Sequence, residues 1–425
     1  MLIGSRRLTR RRARDHGGVP IERADDLLQR FGRIPGAEPL LGAIGELSGL
    51  HLVGGAVRDL ILGDRAPSDL DLVTEADPAA VVARLGARSR AHDRFGTCTF
   101  QLDGFRYDLA QARRETYARP GALPTVTPAS LAVDLERRDF TANAAALGLT
   151  GPQAGTLSTV TATLADLRGR ALRVLHDSSF LDDPTRLLRL ARYASRLGFV
   201  VEPHTRRLAD EALAGGAMAT VSGSRLGTEL RLLVHEPDPV SALLALRALG
   251  LDAALAPGFG LHDPGLARRA LALLPSDGDP GVLVLAAASI DAPPDQLLRR
   301  LDELAFTAGE RDAIVAAASG SRELAAALAR AQRPSQVAAA VGSAGPETVA
   351  LAGAVSGERA ALEWLGELRH VYLEIDGQDL LAAGVPSGPA VGVGLRAALD
   401  ARLDGRAGDR ESQLGEALGA AARAG

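Results

Sequence analysis

Two aspartates in the segment SDLDLVT, Asp69 and Asp71, have a type and spacing that suggest chemistry. They are two residues apart on a predicted strand, whose period of two directs both carboxylates to one face and Leu70 and Leu72 to the other. Like charges this close repel, so bound cations would explain the pair. Two Mg²⁺ ions bridging an attacking and a leaving oxygen are the natural occupants, because hard cations bind carboxylate oxygens. Taken alone, such a pair more often marks a solvated strand end.

A candidate phosphate site precedes these carboxylates. Gly54 and Gly55 lie at a predicted strand-to-helix turn, where small residues let backbone N–H groups and a helix N-terminus meet phosphate oxygens. Arg58 follows one turn into the helix. The segment matches neither a Walker loop nor a G-x-G-x-x-G fingerprint. Asp108, on another predicted strand, supplies a third carboxylate if the two strands are neighbours.

The elements that position these groups follow from hydrophobic periodicity and turn residues. Strands are predicted at 51–53, 69–74, 96–102 and 105–110, with an Asp-Gly turn at 103–104, and helices at 38–50, 56–62 and 77–86. The Pro-, Thr- and Ala-rich stretch 119–130 is predicted to be a loop, followed by two short helices over LAVDLERRDFTANAAAL (131–147). From residue 181 the pattern is helical nearly to the end. We therefore expect an α+β protein, with a small α/β head followed by a long all-α neck, body and tail.

Composition bounds the possible functions. A chain of 425 residues with 46% hydrophobic and 24% charged residues is globular and should form two to four domains. It contains no lysine, so any phosphate clamp must be guanidinium or backbone N–H. The single cysteine, Cys98, excludes a disulfide framework and a cysteine-rich zinc site. A net charge of −4 requires any nucleic-acid surface to be local.

The chain has no apolar run of about 18 residues, the length of a membrane span. Its basic beginning, MLIGSRRLTRRRARDHGG, lacks the apolar core of a signal peptide. We expect no membrane association and a cytoplasmic location. The basic stretch is predicted to be a flexible tail, with a phosphate-contacting arm as the alternative.

Four blocks of the sequence resemble a known family. VGGAVRDLILG…SDLDLV looks like the first motif of the class II tRNA nucleotidyltransferases and bacterial poly(A) polymerases, members of the DNA polymerase β-type nucleotidyltransferase superfamily. Three further blocks are similar to the second motif, the template motif and the tail of these enzymes: ERRDFTANAAAL (136–147), LDDPTRLLRLARYASRLGF (181–199) and IDGQDLLAAGVPSGPAVGVGL (375–395). The family often has Glu where this chain has Asp182, and residues 148–175 match the glycine-rich linking segment only loosely.

The predicted domains are a basic N-terminal tail and helix (1–37), a nucleotidyltransferase head (38–175), a neck (176–250) and a body and tail (251–425). The resemblance implies that the head binds the nucleoside triphosphate, that the neck selects the base, and that the body and tail bind tRNA. It implies metal binding by Asp69 and Asp71, with Asp108 as the third catalytic carboxylate. The residues implied to contact the nucleotide are Gly54, Gly55, Arg58, Arg138, Asp139, Asn143, Asp182, Asp183, Arg186, Arg189 and Arg192. Asp182, Asp183 and Arg186 fall on the segment that reads the base.

The neck segment also has simpler interpretations. In Asp182-Asp183-Pro184 the aspartate and proline are typical of a helix start. Arg186, Arg189, Arg192 and Arg196 form one stripe, which is typical either of a solvated face or of a phosphate-facing surface. Residues 168–207 hold nine Arg against four Asp or Glu, which favours the phosphate-facing surface.

The leading hypothesis is template-independent addition of CCA to tRNA 3′ ends. The 3′-hydroxyl would attack the α-phosphorus of CTP or ATP in line at a two-metal Mg²⁺ site (Mn²⁺ is possible), and pyrophosphate would leave. One alternative is a poly(A) polymerase or a CC-adding or A-adding sister enzyme. Another is a catalytically silent RNA-binding protein. The oligomeric state is not predicted.

Overall fold

The computed structural model describes residues 4–5, 24–45, 47, 49–63, 70–92 and 96–424. Asp69 and most of the predicted N-terminal tail lie outside these residues. The chain divides into two compact units, which we call unit 1 (Met1–Ser222) and unit 2 (Gly223–Gly425). This division falls inside the predicted neck, so the functional domain boundaries remain predictions.

Unit 1 combines strands and helices. Its strands in chain order are β1 Gly4–Ser5, β2 Leu50–Val53, β3 Asp71–Thr74, β4 Ser89–His92, β5 Thr97–Leu102, β6 Phe105–Gln111, β7 Arg113–Thr116, β8 Thr125–Pro128, β9 Ala145–Gly148, β10 Leu157–Thr159, β11 Ala171–Leu172 and β12 Val200–Val201. Its helices are α1 Ala24–Phe31, α2 Ala37–Ile44, α3 Gly55–Leu62, α4 Pro78–Arg84, α5 Leu131–Glu136, α6 Thr163–Arg168, α7 Ser179–Asp182, α8 Thr185–Leu197 and α9 Pro203–Ala214. Short 3₁₀ turns cover Thr141–Asn143, Gly151–Gln153 and Ala217–Thr220.

A mixed sheet forms the centre of unit 1. Among the described residues its strands are hydrogen-bonded in the order β1-β10-β9-β2-β3-β6-β5-β4. β3 runs parallel to β6 and antiparallel to β2, so the end of β2 lies beside the start of β3. Leu52 pairs with Leu72, and Asp71 pairs with Asp108. The Gly-Gly turn and two of the predicted carboxylates therefore lie at the same end of the sheet.

Two predictions made for 119–147 are wrong in part. Thr125–Pro128 is a strand (β8) that pairs with β7, not loop. In the stretch predicted as two helices, only Leu131–Glu136 is α-helical, and Ala145–Gly148 is the fully buried strand β9 between β2 and β10. Alanine favours helices, but hydrogen bonds from strands on both sides outweigh this propensity for β9.

One buried cluster packs α5 against the central sheet. Its members are Val53, Val73, Ala112, Leu131, Leu135, Ala144, Ala146 and Val160. Each fully buried valine or leucine contributes about 1.5–3 kcal/mol relative to an exposed one. The cluster therefore fixes the position of Val53, the last residue of β2, directly before the Gly-Gly turn.

Every regular element in the described residues of unit 2 is a helix. Its helices are α10 Gly223–Val234, α11 Pro239–Ala248, α12 Leu251–Leu255, α13 Pro264–Leu273, α14 Pro280–Ala288, α15 Pro294–Glu303, α16 Ala308–Arg330, α17 Pro334–Val341, α18 Pro346–Val355, α19 Glu358–Gly366, α20 Gly377–Ala382, α21 Pro389–Leu403 and α22 Arg410–Ala424, with a 3₁₀ turn at Leu368–His370. Asp238, Asp263 and Asp279 each accept a backbone N–H bond just before a helix that begins with proline. The helical prediction for this half is confirmed. Among the described residues, every helix is too short or too polar to span a membrane.

Candidate active site

The turn after β2 is shaped by glycine. Gly54 has φ of 70°, in the left-handed region, and its N–H donates to the carbonyl of Ala145 at 3.0 Å. A Cβ at Gly54 would lie 2.9 Å from Nη1 of Arg138, and one at Gly55 would lie 3.4 Å from Nη2 of Arg58. The turn therefore places two guanidinium groups beside the N-terminus of α3, an arrangement that can bind an anion.

Two of the predicted catalytic carboxylates are neighbours on adjacent strands. Asp71 and Asp108 are paired in parallel register, and both are exposed. Asp108 accepts a bond from the Thr99 hydroxyl at 2.5 Å and lies 3.3 Å from Nη2 of Arg106. The described residues contain no group of three or more His, Cys, Asp or Glu placed to hold a metal. Since Asp69 lies outside them, the predicted metal pair stays a prediction, and the two carboxylates are donors that suit a hard cation.

A buried chain of hydrogen bonds links the helix after the turn to the neck. Arg58, which is 2% exposed, donates to Asp59 Oδ1 at 2.8 Å and to Asn143 Oδ1 at 2.6 Å. Asn143 Nδ2 donates to Asp139 Oδ1 at 3.0 Å, and Arg189 donates to Asp139 Oδ2 from Nε at 2.9 Å and from Nη2 at 2.6 Å. Four of the predicted nucleotide-binding residues thus belong to one network, although none was predicted to bind another.

Asp139 is ionised at neutral pH despite its burial. Desolvation raises its pKa, but the charge of Arg189 and the bonds from Asn143 and Arg189 outweigh this and lower the pKa to about 2. The network therefore contains a permanent negative charge between two guanidinium groups.

The ring of Tyr193 contacts three arginine side chains near the buried network. The guanidinium carbons of Arg192, Arg189 and Arg58 lie 4.8, 5.6 and 5.9 Å from its ring centroid. Phe140 packs edge-on against the same ring at 5.9 Å. The ring thus restrains three arginines by cation–π contacts. Tyr193 was not among the predicted site residues, and its only signal in the sequence was an aromatic residue inside the arginine stripe.

The predicted base-reading segment spans α7 and the start of α8. Asp183 Oδ1 accepts bonds from the Thr185 N–H at 3.1 Å and the Thr185 hydroxyl at 2.6 Å, so the simpler interpretation of a helix-start residue applies to it. Asp182 is partly buried, and its Oδ2 lies 4.0 Å from Nδ1 of His176. Asp182 is therefore the last residue of α7, and Asp183 lies between α7 and α8, where its side chain caps the start of α8.

The arginine stripe of α8 is not a solvated face. Arg186 and Arg192 are buried, at 5% and 7% exposure. Arg186 donates to the Ser179 hydroxyl at 2.6 Å and to the Arg137 carbonyl at 2.8 Å. Helical spacing alone could not show that other parts of unit 1 cover this side of the helix.

Asp134 on α5 is a second residue absent from the predicted site. Its side chain is completely buried, and it accepts bonds from both Arg137 and Arg138. The sequence carried a signal for it, because Asp134 precedes these arginines by three and four residues, the spacing of helical side-chain pairs.

Comparisons with known proteins show which proteins this chain resembles. A family model described as the poly A polymerase head domain matches residues 50–173. A CC-adding tRNA nucleotidyltransferase of Deinococcus radiodurans is 36% identical over 374 residues, which is 85% of this chain and 87% of that protein. An A-adding tRNA nucleotidyltransferase of Geobacter sulfurreducens is 33% identical over 402 residues, covering 88% of this chain, although this chain spans only about half (46%) of that protein. The Thermotoga maritima CCA-adding enzyme, solved in complex with tRNA, matches with a TM-score of 0.74 and 27% identity over 93% of this chain and 98% of that one.

Proposed function

The chain belongs to the family of class II tRNA nucleotidyltransferases and bacterial poly(A) polymerases, and from this membership we propose that it adds nucleotides of the CCA sequence to tRNA 3′ ends from CTP and ATP. One observation carries the proposal. The sheet register brings the Gly54–Gly55 turn, where an anion can bind, beside the paired carboxylates Asp71 and Asp108. A triphosphate site next to oxygen donors for a cation is what phosphoryl transfer requires.

The triphosphate lies, in this proposal, against the turn. The backbone N–H of Gly55 at the start of α3 and the guanidinium of Arg138 contact its phosphates, because the Gly54 N–H is already bonded to Ala145 and Nη1 of Arg138 lies beside the Gly54 turn. Arg58 is bonded to Asn143 and so fixes the residue implied to contact the sugar. These groups hold the α-phosphorus in line with the tRNA 3′-hydroxyl, and they stabilise the charge of the departing pyrophosphate.

Asp69 and Asp71 are proposed to hold Mg²⁺, or Mn²⁺, with Asp108 beside them. The donor set fits, because Asp71 and Asp108 are exposed carboxylates at paired positions. When bound, the ion supplies positive charge that favours deprotonation of the 3′-hydroxyl and neutralises the leaving pyrophosphate.

Base selection is proposed to reside at the start of α8. A carboxylate held by two bonds from Thr185, as in Asp183, can accept from a base amino group. Arg186 is fixed in the same turn and can donate to the base. Their fixed geometry would favour CTP and ATP over bases with a carbonyl at the corresponding position.

Two activities differ in how much of the CCA sequence is added. Full CCA addition is our proposal from the base-reading segment. Addition of only part of that sequence is the second, favoured by relatives that cover 85% and 88% of this chain and are CC-adding and A-adding enzymes.

One assay tests the function and separates these candidates. Purified protein is incubated with Mg²⁺ and labelled tRNA ending before, within or after CCA, with CTP and ATP supplied singly and together. Three residues added and then a stop would support full CCA addition. A stop after CC, a single A, or a long A ladder would assign a sister activity. Absence of any extension would contradict the proposal and favour a silent RNA-binding protein.

A further inference from the structure

Asp134 is a buried charge whose partners are nearly all arginine. Its Oδ1 accepts from Nε and Nη2 of Arg137 at 3.0 and 2.7 Å and from the Arg113 N–H at 3.2 Å, and its Oδ2 accepts from Nη2 of Arg138 at 3.1 Å. A carboxylate without any exposed surface is costly unless it is paired in this way. Burial raises the pKa of Asp134, but Arg138 and Arg137 outweigh it and lower the pKa below its usual range.

Arg137 and Arg138 differ in their other contacts. Arg137 is shared with a second carboxylate, since its Nη1 donates to Glu115 at 2.8 Å. Arg138 has only Asp134 as an acidic partner among the described residues, and its buried Nε has no hydrogen-bond partner there. Its other end, Nη1, lies at the Gly54 turn. One end of the Arg138 guanidinium is therefore anchored, and the other faces the site where phosphate is proposed to bind.

We infer that Asp134 is a positioning residue, which holds the Arg138 guanidinium at the Gly54 turn so that it meets the triphosphate end of the nucleotide. This inference rests on the proposed nucleotide site and adds to it the residue that orients its phosphate contact. Asp134 does not touch the nucleotide. Its effect should appear in recognition of phosphate and not in recognition of the base.

The experiment compares binding of CTP and CMP by calorimetry, using full-length wild type, Asp134→Asn, Arg138→Gln and the double variant. Each single variant should lower the preference for CTP over CMP by about tenfold, the effect of losing a charge-assisted hydrogen bond. The double variant should lower it no further than Arg138→Gln, because Asp134 acts through Arg138. Selectivity for CTP over GTP should not change. The matched control is Asp166→Asn, another buried carboxylate, which is paired with Arg173 instead.

Different results overturn different statements. If wild type binds CTP no better than CMP, the proposed nucleotide site is wrong and the inference falls with it. If wild type shows the preference but Asp134→Asn retains it, or the two effects multiply, only the positioning role is wrong. If Asp134→Asn does not fold, the experiment uses Arg138→Lys instead, because a lysine ammonium cannot contact Asp134 and the phosphate together as a guanidinium can. Loss of the preference for CTP over CMP would then support the positioning role of Asp134. A retained preference would overturn that role.

Discussion

Individual charged residues in unit 1 fall into two environments. Asp71 and Asp108 are exposed at the end of the sheet, whereas Arg58 and Asp139 are buried in one hydrogen-bonded network. Exposed carboxylates can be reached by a cation and a substrate. Buried pairs fix geometry, and removal of one partner destabilises the fold because it leaves the other charge buried and unpaired. Substitutions in the two groups should therefore have different consequences.

Replacement of Asp71 by Asn should reduce nucleotide incorporation roughly a hundredfold or more, since the amide lacks the charge that a divalent cation requires. Binding of tRNA should be unchanged, because the carboxylate is not proposed to contact it. Gel-based incorporation and filter binding measure the two effects. Asp103→Asn, an exposed aspartate at the β5–β6 turn, is the control and should be as active as wild type. Near-normal activity of Asp71→Asn would contradict the metal assignment.

Asp139 should make stability depend on acid pH. Its folded-state pKa of about 2 is below the ordinary 3.8. The ionised carboxylate therefore stabilises the native state at pH values above 3.8, and this contribution is lost as the pH falls towards 2. Urea unfolding should show Asp139→Asn less stable by about 2 kcal/mol at pH 6, with the difference shrinking between about pH 4 and 2. Glu211→Gln, on an exposed position of α9, should show no such trend. A constant difference across this range would exclude the proposed ionic role.

At the scale of elements, the proposed phosphate site lies at the connection from β2 to α3. The strand is held between β3 and β9, and α3 begins directly after Gly54. Two features require glycine at position 54, namely its positive φ and the closeness of Arg138. The same turn thus sets the backbone direction and leaves room for a guanidinium group.

Gly54→Ala should therefore impair nucleotide incorporation far more than its backbone strain alone predicts. Gly49→Ala is a close control, because Gly49 has a similar φ of 75° but nothing within 4 Å of its Cβ position. Both variants should lose about 1–3 kcal/mol of stability from strain. Only Gly54→Ala should also lose incorporation of CTP by more than about tenfold, because it displaces Arg138. Equal activities of the two variants would show that the turn does not bind phosphate. Thermal unfolding and single-turnover incorporation provide the two measurements.

At the scale of the whole molecule, the proposed function requires an acidic chain to bind a polyanion. The net charge is −4, and part of the arginine-rich segment 168–207 is buried. Arg168, Arg170 and Arg207 remain exposed in that segment. If tRNA binds this surface, affinity must depend on salt in proportion to the number of phosphate contacts.

Arg168→Gln should reduce the slope of log affinity for tRNA against log salt concentration by about 0.7–0.9, the contribution of one phosphate contact. Fluorescence titration at several salt concentrations measures the slope. Arg33→Gln, an exposed arginine outside the segment, is the control and should leave the slope unchanged. An unaltered slope for Arg168→Gln would place the tRNA surface elsewhere.

The sequence by itself determined the local features of this protein. The Gly-Gly turn with its helix, the β5–β6 hairpin around Asp103 and Gly104, and the helical second half were all predicted correctly. These features depend on turn residues, caps and periodicity, which act over a few neighbouring residues. The four motif blocks likewise indicate the family through their resemblance to its motifs.

Only the tertiary structure decided how distant segments meet. It made Ala145–Gly148 a strand against its helix propensity, paired Asp71 with Asp108, and buried Arg186 and Arg192. It also connected Arg58 to Asn143, and Asp139 to Arg189. Strand register, burial and buried ion pairs depend on contacts between residues tens of positions apart, and no local pattern in the chain encodes them.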